Sequence, residues 1–243
     1  AETLADRFVV LQASRDDRDA ASIRSRAPDA SSYAGLYHPW LRIPTATPGG
    51  AVPVPPGGHV CGIIARNDLE RGVHKAPGNV PVVGLSMESS GPLAHIVTAS
   101  EQDALNALGV NVIRDFRTAG RGVRVYGART LAAAPEWRYV NVRRLFIYLE
   151  RSIARGLQWT VFEPNGEPTW AAVTQAVTDF LIGSWRAGAF FGATPDQAFF
   201  VKCDRTTMTQ DDIDNGRLIC LVGVAPIKPA EFEIFRVCWQ TAS

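Results

Sequence analysis

Residues 53–85, with the core VPPGGHVCGIIARNDLERGVHKAPGNVPVVGL from Val54 to Leu85, decide how this chain is read. Pro55-Pro56-Gly57-Gly58 is loop chemistry that opens a helix. The residues that follow have a helical period, with Val60, Ile63 and Ile64 on one face and Arg66, Asp68, Glu70 and Arg71 mostly turned away from it. Arg66 and Glu70 stand four apart, the spacing at which opposite charges meet across one turn. Gly72 can supply a left-handed stop. A second Pro/Gly turn, KAPGN at 75–79, then leads into the apolar run Val80 to Leu85, which reads as a strand.

The same alternation continues on both sides. Upstream, 8–13 (FVVLQA) predicts a buried strand, and Ala20 to Arg26 a short helix stopped by Pro28. Tyr33 to Ile43 is aromatic-rich and β-like, with Pro39 making part of it an edge or a bend. Downstream, Ser100 to Leu108 predicts a helix with Ser100 as N-cap, Glu101 and Asp103 in its first turn and Gly109 at its end. Val110–Ile113 and Val123–Tyr126 read as strands around RTAGRG. Val142, Leu145, Phe146, Leu149 and Ile153 trace the core face of a helix closed by Gly156. Alternation in Leu157, Trp159 and Val161 predicts a half-buried strand. Pro168 suits a first helical position, ahead of an amphipathic run through Trp170, Val173, Val177, Phe180, Leu181 and Trp185. Phe199, Val201 and Cys203 alternate as a strand, Thr209 caps a short acidic helix, and Leu218–Ala225 is strand-like. Strands interleaved with helices predict a mixed α/β (α+β) fold. The apolar strand signals pause at SSGPLAH, which places a seam near residues 95–100.

With 46% hydrophobic and 20% charged residues in 243, the composition is that of an ordinary globular protein. A net charge of +1 gives no electrostatic reason to expect nucleic acid or an anionic membrane as partner. No window approaches the roughly 18 consecutive apolar residues of a membrane-spanning helix. The chain begins at Ala1 without Met, as expected for processing or for a piece cut from something longer. Cys61, Cys203, Cys220 and Cys238 show no CxxC spacing and read as free buried thiols acting as small hydrophobes in preference to a metal or disulfide role, in keeping with assembly in a bacterial cytoplasm.

A search for catalytic chemistry returns little. His38, His59, His74 and His95 contain no i, i+4 pair, and no GxSxG, GxGxxG or P-loop follows a strand. The glycines of AGRGVRVYG (119–127) lack helix-start spacing and read as a hairpin-like turn. Asp211, Asp212 and Asp214 lack the Gly and distal Glu of a calcium loop and read as a carboxylate-rich helix start. Arg143, Arg144, Arg151 and Arg155 read as a solvated helix face or an ion-pairing interface. No cofactor or metal is expected. The last segment, EFEIFRVCWQ, puts Phe232 and Ile234 on one face of a strand and Phe235, Val237 and Trp239 on the other. A strand apolar on both faces needs partners on both, either as a central strand of its own sheet or as an arm donated to a neighbour.

Six segments in order resemble contractile tail sheath proteins of myophages, R-type bacteriocins and phage-tail-like extracellular injection particles. They are SYAGLYHPWLRI (32–43), PPGGHVCGIIARNDLERGVHKAPGN (55–79), LNALGVNVIRDF (105–116), GRGVRVYGARTL (120–131), WRYVNVRRLFIYLERSIARGLQWTVFEPNGEPTW (137–170) and TQDDIDNGRLICLVGVAPIKPAEFEIFRV (209–237). The resemblance covers most of the chain from Tyr33 onward and is closest to the extracellular particles. It implies part of a subtilisin-like, non-catalytic middle domain at 1–97 and the conserved C-terminal domain at 98–243, with a strand-exchanging arm at 231–243. It also implies a structural subunit and no enzyme, in a phage tail or a released phage-tail-like particle. The implied partners are further copies of the chain, an inner tube protein, and baseplate and tail terminator proteins, with Asp211, Asp212, Asp214 and Arg217 as the candidate tube contact. The N-terminal arm and outer insertions usual in the family are missing from this sequence. The competing readings are a soluble hydrolase-like α/β enzyme, with His74 or His95 in a cleft, and a type VI secretion sheath subunit.

Overall fold

The structure, a computed structural model, describes residues 3–27, 30–87 and 91–230. The terminal strand expected from the sequence, with Phe232, Ile234, Phe235, Val237 and Trp239, lies outside the described residues.

The first part of the chain is a layered α/β unit. Strand β1 (Val9–Gln12) leads through helix α1 (Ala20–Ser25) to β2 (Ala34–His38), which pairs with β1 in parallel. All five residues of β2 are buried, as expected for a parallel strand covered on both faces. The bend at Pro39 is therefore real, but β2 is an interior strand. Beyond the bend, β3 (Leu41–Pro44) and β4 (Ala51–Val54) form a separate antiparallel ribbon.

Helix α2 (Gly57–Arg71) follows Pro56, and Gly72 ends it at φ +85°. A Cβ at Gly72 would stand 2.7 Å from the His74 ring, so the stop depends on glycine twice over. The expected Arg66–Glu70 pairing gives way to a bond from Arg66 to the Pro81 carbonyl at 3.3 Å. The apolar run after Asn79 pairs only over β5 (Val80–Pro81).

Helix α3 (Ala99–Ala107) starts two residues earlier than expected. Thr98, not Ser100, is the N-cap, and it exchanges capping-box bonds with Glu101. Strands β6 (Val110–Phe116) and β7 (Gly122–Tyr126) form the expected hairpin around a short turn. The sheet order is β1-β2-β6-β7-β5, parallel over its first three strands. Because β2 hydrogen-bonds to β6, the sheet runs straight across residues 95–100. Alternation along β6 sends Val110 and Val112 toward α1 and α3, and Ile113 toward α2.

The second part packs around two long helices, α4 (Val140–Gly156) and α5 (Glu167–Arg186), with Leu145, Leu149, Trp170, Val173, Val177 and Leu181 at its centre. Pro168 is the second residue of α5. Helix α6 (Pro195–Ala198) leads into β8 (Phe199–Lys202), which pairs antiparallel with β9 (Leu221–Val224) across the short helix α7 (Gln210–Asp214). The stretch from Leu157 is not a strand. Residues Gln158–Thr160 form a 3₁₀ turn, because the α4–α5 connection offers no neighbouring strand to receive it.

His38, at the end of β2, is 1% exposed and neither ring nitrogen has a partner among the described residues. Burial is the main cause that lowers its pKa to about 4, helped by His95 and Arg18 and opposed by Asp17 and Glu101. A folded-state value below the unfolded one means that stability is complete above about pH 6.5 and is lost as pH falls toward 4. The loss should reach roughly 3 kcal/mol. Urea unfolding at stepped pH should show this decline, and His38→Leu should flatten it.

Candidate functional site

An open cleft of about 650 Å³ between α2, α4 and α5 holds a possible catalytic set. His74, Asp179 and Ser184 all line it, but they do not act together. The Ser184 hydroxyl donates to the Phe180 carbonyl one turn back (3.2 Å), and Asp179 accepts from Gln175 (2.8 Å). The His74 pKa is lowered by burial and by the nearby Arg71. No bond connects the three, so the constellation that the hydrolase reading needs is not assembled. His95 lies against His38, with ring centroids 5.8 Å apart, and its Nε2 faces Glu101 at 3.4 Å. Among the described residues no group of His, Cys, Asp and Glu could hold a metal ion, and no helix is long and apolar enough to cross a membrane.

The surface carries three better-built features. The first is the acidic turn. In α7, Asp212 accepts from the Thr209 amide (2.9 Å), and the Thr209 hydroxyl accepts from the Asp212 amide (3.2 Å). Arg217 closes on the same carboxylate through Nε at 2.8 Å and also bonds Asp211. Asp214 accepts from Gln210 at 2.7 Å. The structure thus brings Asp211, Asp212 and Arg217 together, while Asp214 stands apart. The Thr209 hydroxyl, then its amide, then Arg217 hold the Asp212 carboxyl down at about 2. A ¹³C NMR titration should place the Asp212 midpoint near 2, with Arg217→Ala raising it and Thr209→Ala raising it further.

The second feature is the β8–β9 ribbon. Its strands pair with each other and with no third strand among the described residues, and Phe200 (59% exposed) and Leu221 (49%) project from it. Unpaired edges with apolar side chains form a template for a further strand.

The third is a knuckle between α4 and α5, where Trp159, Val161 and Phe162 are all exposed. Phe162 sits at φ +70°, a left-handed conformation that is costly for a bulky side chain. Sequence periodicity could not reveal it, since no glycine or asparagine marks the turn. Phe162→Gly should raise stability by about 1 kcal/mol, read from chemical denaturation of the unassembled chain.

The arginines of α4 do not form a single solvated face. Arg143 is 6% exposed and stacks between Trp137 (3.5 Å to the ring centroid) and Tyr33 (4.3 Å). Arg144 makes a two-pronged pair with Asp68 of α2, and Arg151 reaches Asp6 at 3.4 Å. Next to them, the buried Asn141 amide donates to the His74 carbonyl (2.8 Å) and the Ile227 carbonyl (3.2 Å). This turn of helix joins the sheet unit to the second unit.

Residues 2–131 match the phage tail sheath protein central domain, and residues 132–239 match the phage tail sheath C-terminal domain. The chain belongs to the phage tail sheath family. Its fold is similar to a solved sheath complex of an extracellular contractile injection system, PVC, in the contracted state. That match has 36% identity and a TM-score of 0.85, over 95% of this chain and 63% of the other. It is also similar to a chain of the anti-feeding prophage baseplate, with 36% identity and a TM-score of 0.82, over 96% of this chain and 60% of that one. The tail sheath protein of Vibrio phage KVP40 is 29% identical over 141 residues, covering 58% of this chain and 20% of the phage protein. The chain thus spans less than two thirds of the length of these relatives. The two domain matches meet at residues 131 and 132, a few residues after β7 completes the five-stranded sheet, and the division expected at 97/98 falls inside the central-domain match.

Proposed function

We propose that this chain is the structural core of a contractile sheath subunit. It polymerises around an inner tube and shortens to drive that tube through a target envelope, as part of a phage tail or phage-tail-like particle. The observation that carries the reading is the match of both sheath domains in order, together with a fold similar to a sheath solved in its contracted state.

Head-to-tail contacts that do not close on themselves generate a helical array. Contraction then requires subunits to move as rigid bodies while some contacts persist and others are exchanged. The clamp of α4 on α2 supports rigid-body motion, since it ties both units by a buried amide and an ion pair. The open β8–β9 ribbon supports strand addition from a neighbour. The arm assigned to that role is Phe232, Ile234, Phe235, Val237 and Trp239, apolar on both faces in the sequence. An extended sheath of this kind is a kinetically trapped array, and the subunit itself requires no nucleotide.

Asp211, Asp212, Asp214 and Arg217 are proposed as the contact with the tube protein. Their support is an exposed, internally cross-linked turn that can present charge without losing much side-chain entropy on docking. The three parallel strands flanked by helices are compatible with a partial subtilisin-like layer, with no protease function attached to it. Further copies of the chain, baseplate proteins and a tail terminator are the remaining partners of this reading.

Removal of residues 231–243 should leave a soluble chain that forms neither tubules nor cogwheel-like rings under negative-stain electron microscopy, while the intact chain forms them. Normal polymers from the truncated chain would sink the arm assignment.

A further inference from the structure

The β8–β9 register places two cysteines opposite each other at the open end of the ribbon. Lys202 pairs with Leu221, so the next antiparallel position pairs Cys203 with Cys220. The parity of the ladder is set by the Ala225 amide, which donates to the Ala198 carbonyl at 2.8 Å and makes 198/225 a hydrogen-bonded position. Positions alternate along an antiparallel pair, so five steps on, 203/220 is a non-hydrogen-bonded position. Opposed Cα atoms there stand about 4.5 Å apart and side chains come closest. That spacing lies inside the Cα window of about 4.4–6.8 Å that a disulfide spans.

Three further observations agree. Both side chains face the same core, packed with Phe199, Val201 and Val224. The two thiols lie close enough for each to shift the other's titration, and both are free. The Thr207 hydroxyl lies 2.8 Å from the Asp204 carbonyl and 2.9 Å from the Ile219 carbonyl, the neighbours of the two cysteines, and so holds the strand ends together.

We propose that Cys203 and Cys220 are an oxidation site, closing to a cross-strand disulfide that clasps the base of the β8–β9 ribbon. This inference rests on the ribbon's geometry and stands independently of the sheath reading. The oxidant class is a low-molecular-weight disulfide such as glutathione disulfide. Cys220, half-buried where Cys203 is buried, loses its proton to solvent and attacks one glutathione sulfur. The glutathione S–S bond breaks, and one glutathione leaves and takes up a proton. Cys203, giving up its proton in turn, then attacks the Cys220 sulfur. The Cys203–Cys220 bond forms and the second glutathione leaves as a thiol. Two protein thiols are oxidised and one glutathione disulfide is reduced.

Burial raises the pKa of both thiols, that of Cys203 to about 11, so thiolate is scarce at neutral pH and closure is slow there. Closure should therefore speed up about tenfold from pH 7 to pH 8. The closed form constrains the loop that carries α7, and it should melt roughly 5–10 °C higher than the reduced form.

The test uses the full chain, alone and with Cys61→Ser and Cys238→Ser together, incubated natively with glutathione disulfide. Alkylation, intact mass and peptide mapping should show the loss of two hydrogens and a peptide pair joining Cys203 to Cys220. The rise in melting temperature should be reversed by dithiothreitol. The proposal is overturned if both thiols stay alkylatable after native incubation at pH 8, or if the bond forms only after denaturation. It is also overturned if the bond forms without any rise in melting temperature.

Discussion

The first turn of α4 is the constraint on which the rest of the molecule depends. Asn141 is 1% exposed, and its amide holds a central-domain loop and the segment after β9 at once. Replacing that amide by a packed apolar group removes both of these hydrogen bonds at once. Two residues on, Arg143 is held by two aromatic faces and donates to the Tyr33 hydroxyl, and burial lowers its pKa from the ordinary guanidinium value. Arg144 then supplies the charged contact to Asp68. Packing, cation–π attraction and hydrogen bonding thus converge on four consecutive residues, and they couple two cores that share no hydrophobic cluster.

That coupling has a mechanical meaning in a sheath. In the proposed sheath role a subunit that transmits load must not yield between its own parts, which leaves compliance to the contacts between subunits. The central unit is a five-stranded sheet packed against α1 and α3 on one face and against α2 on the other. The second unit leaves its small ribbon uncovered, and the chain leads from there into residues 231–243. In the proposed arrangement the load-bearing sheet and the strand-accepting ribbon belong to different parts of one chain. The acidic turn of α7 lies inside the ribbon's own connection, so anything that orders the ribbon also orders that turn.

Much of this was legible in the residues. The helix 57–71 could be read because proline and glycine bound it and because Val60, Ile63 and Ile64 leave one consistent face. The hairpin at 110–126 and the amphipathic faces of α4 and α5 were legible for the same reason: periodicity is a local property. Other features depended on partners distant in sequence. Trp159 and Val161 alternate like a strand, but with no strand beside them the chain turned and left them in solvent. Thr98 outcompeted Ser100 as a cap because it alone could exchange bonds with Glu101.

The sequence by itself determined most of the element order, apart from the turn at 158–160 and strand β4, together with the mixed α/β class and the sheath resemblance, since each rests on local period or on residues in linear order. Tertiary structure alone decided that β6 joins β2 across the expected seam, that Arg143 is a buried stack, and that Cys203 meets Cys220 across a ribbon. The physical reason is common to all three. Register, burial and pairing are properties of two segments at once, and residues 17 to 110 positions apart carry no local sign of which segment they will face.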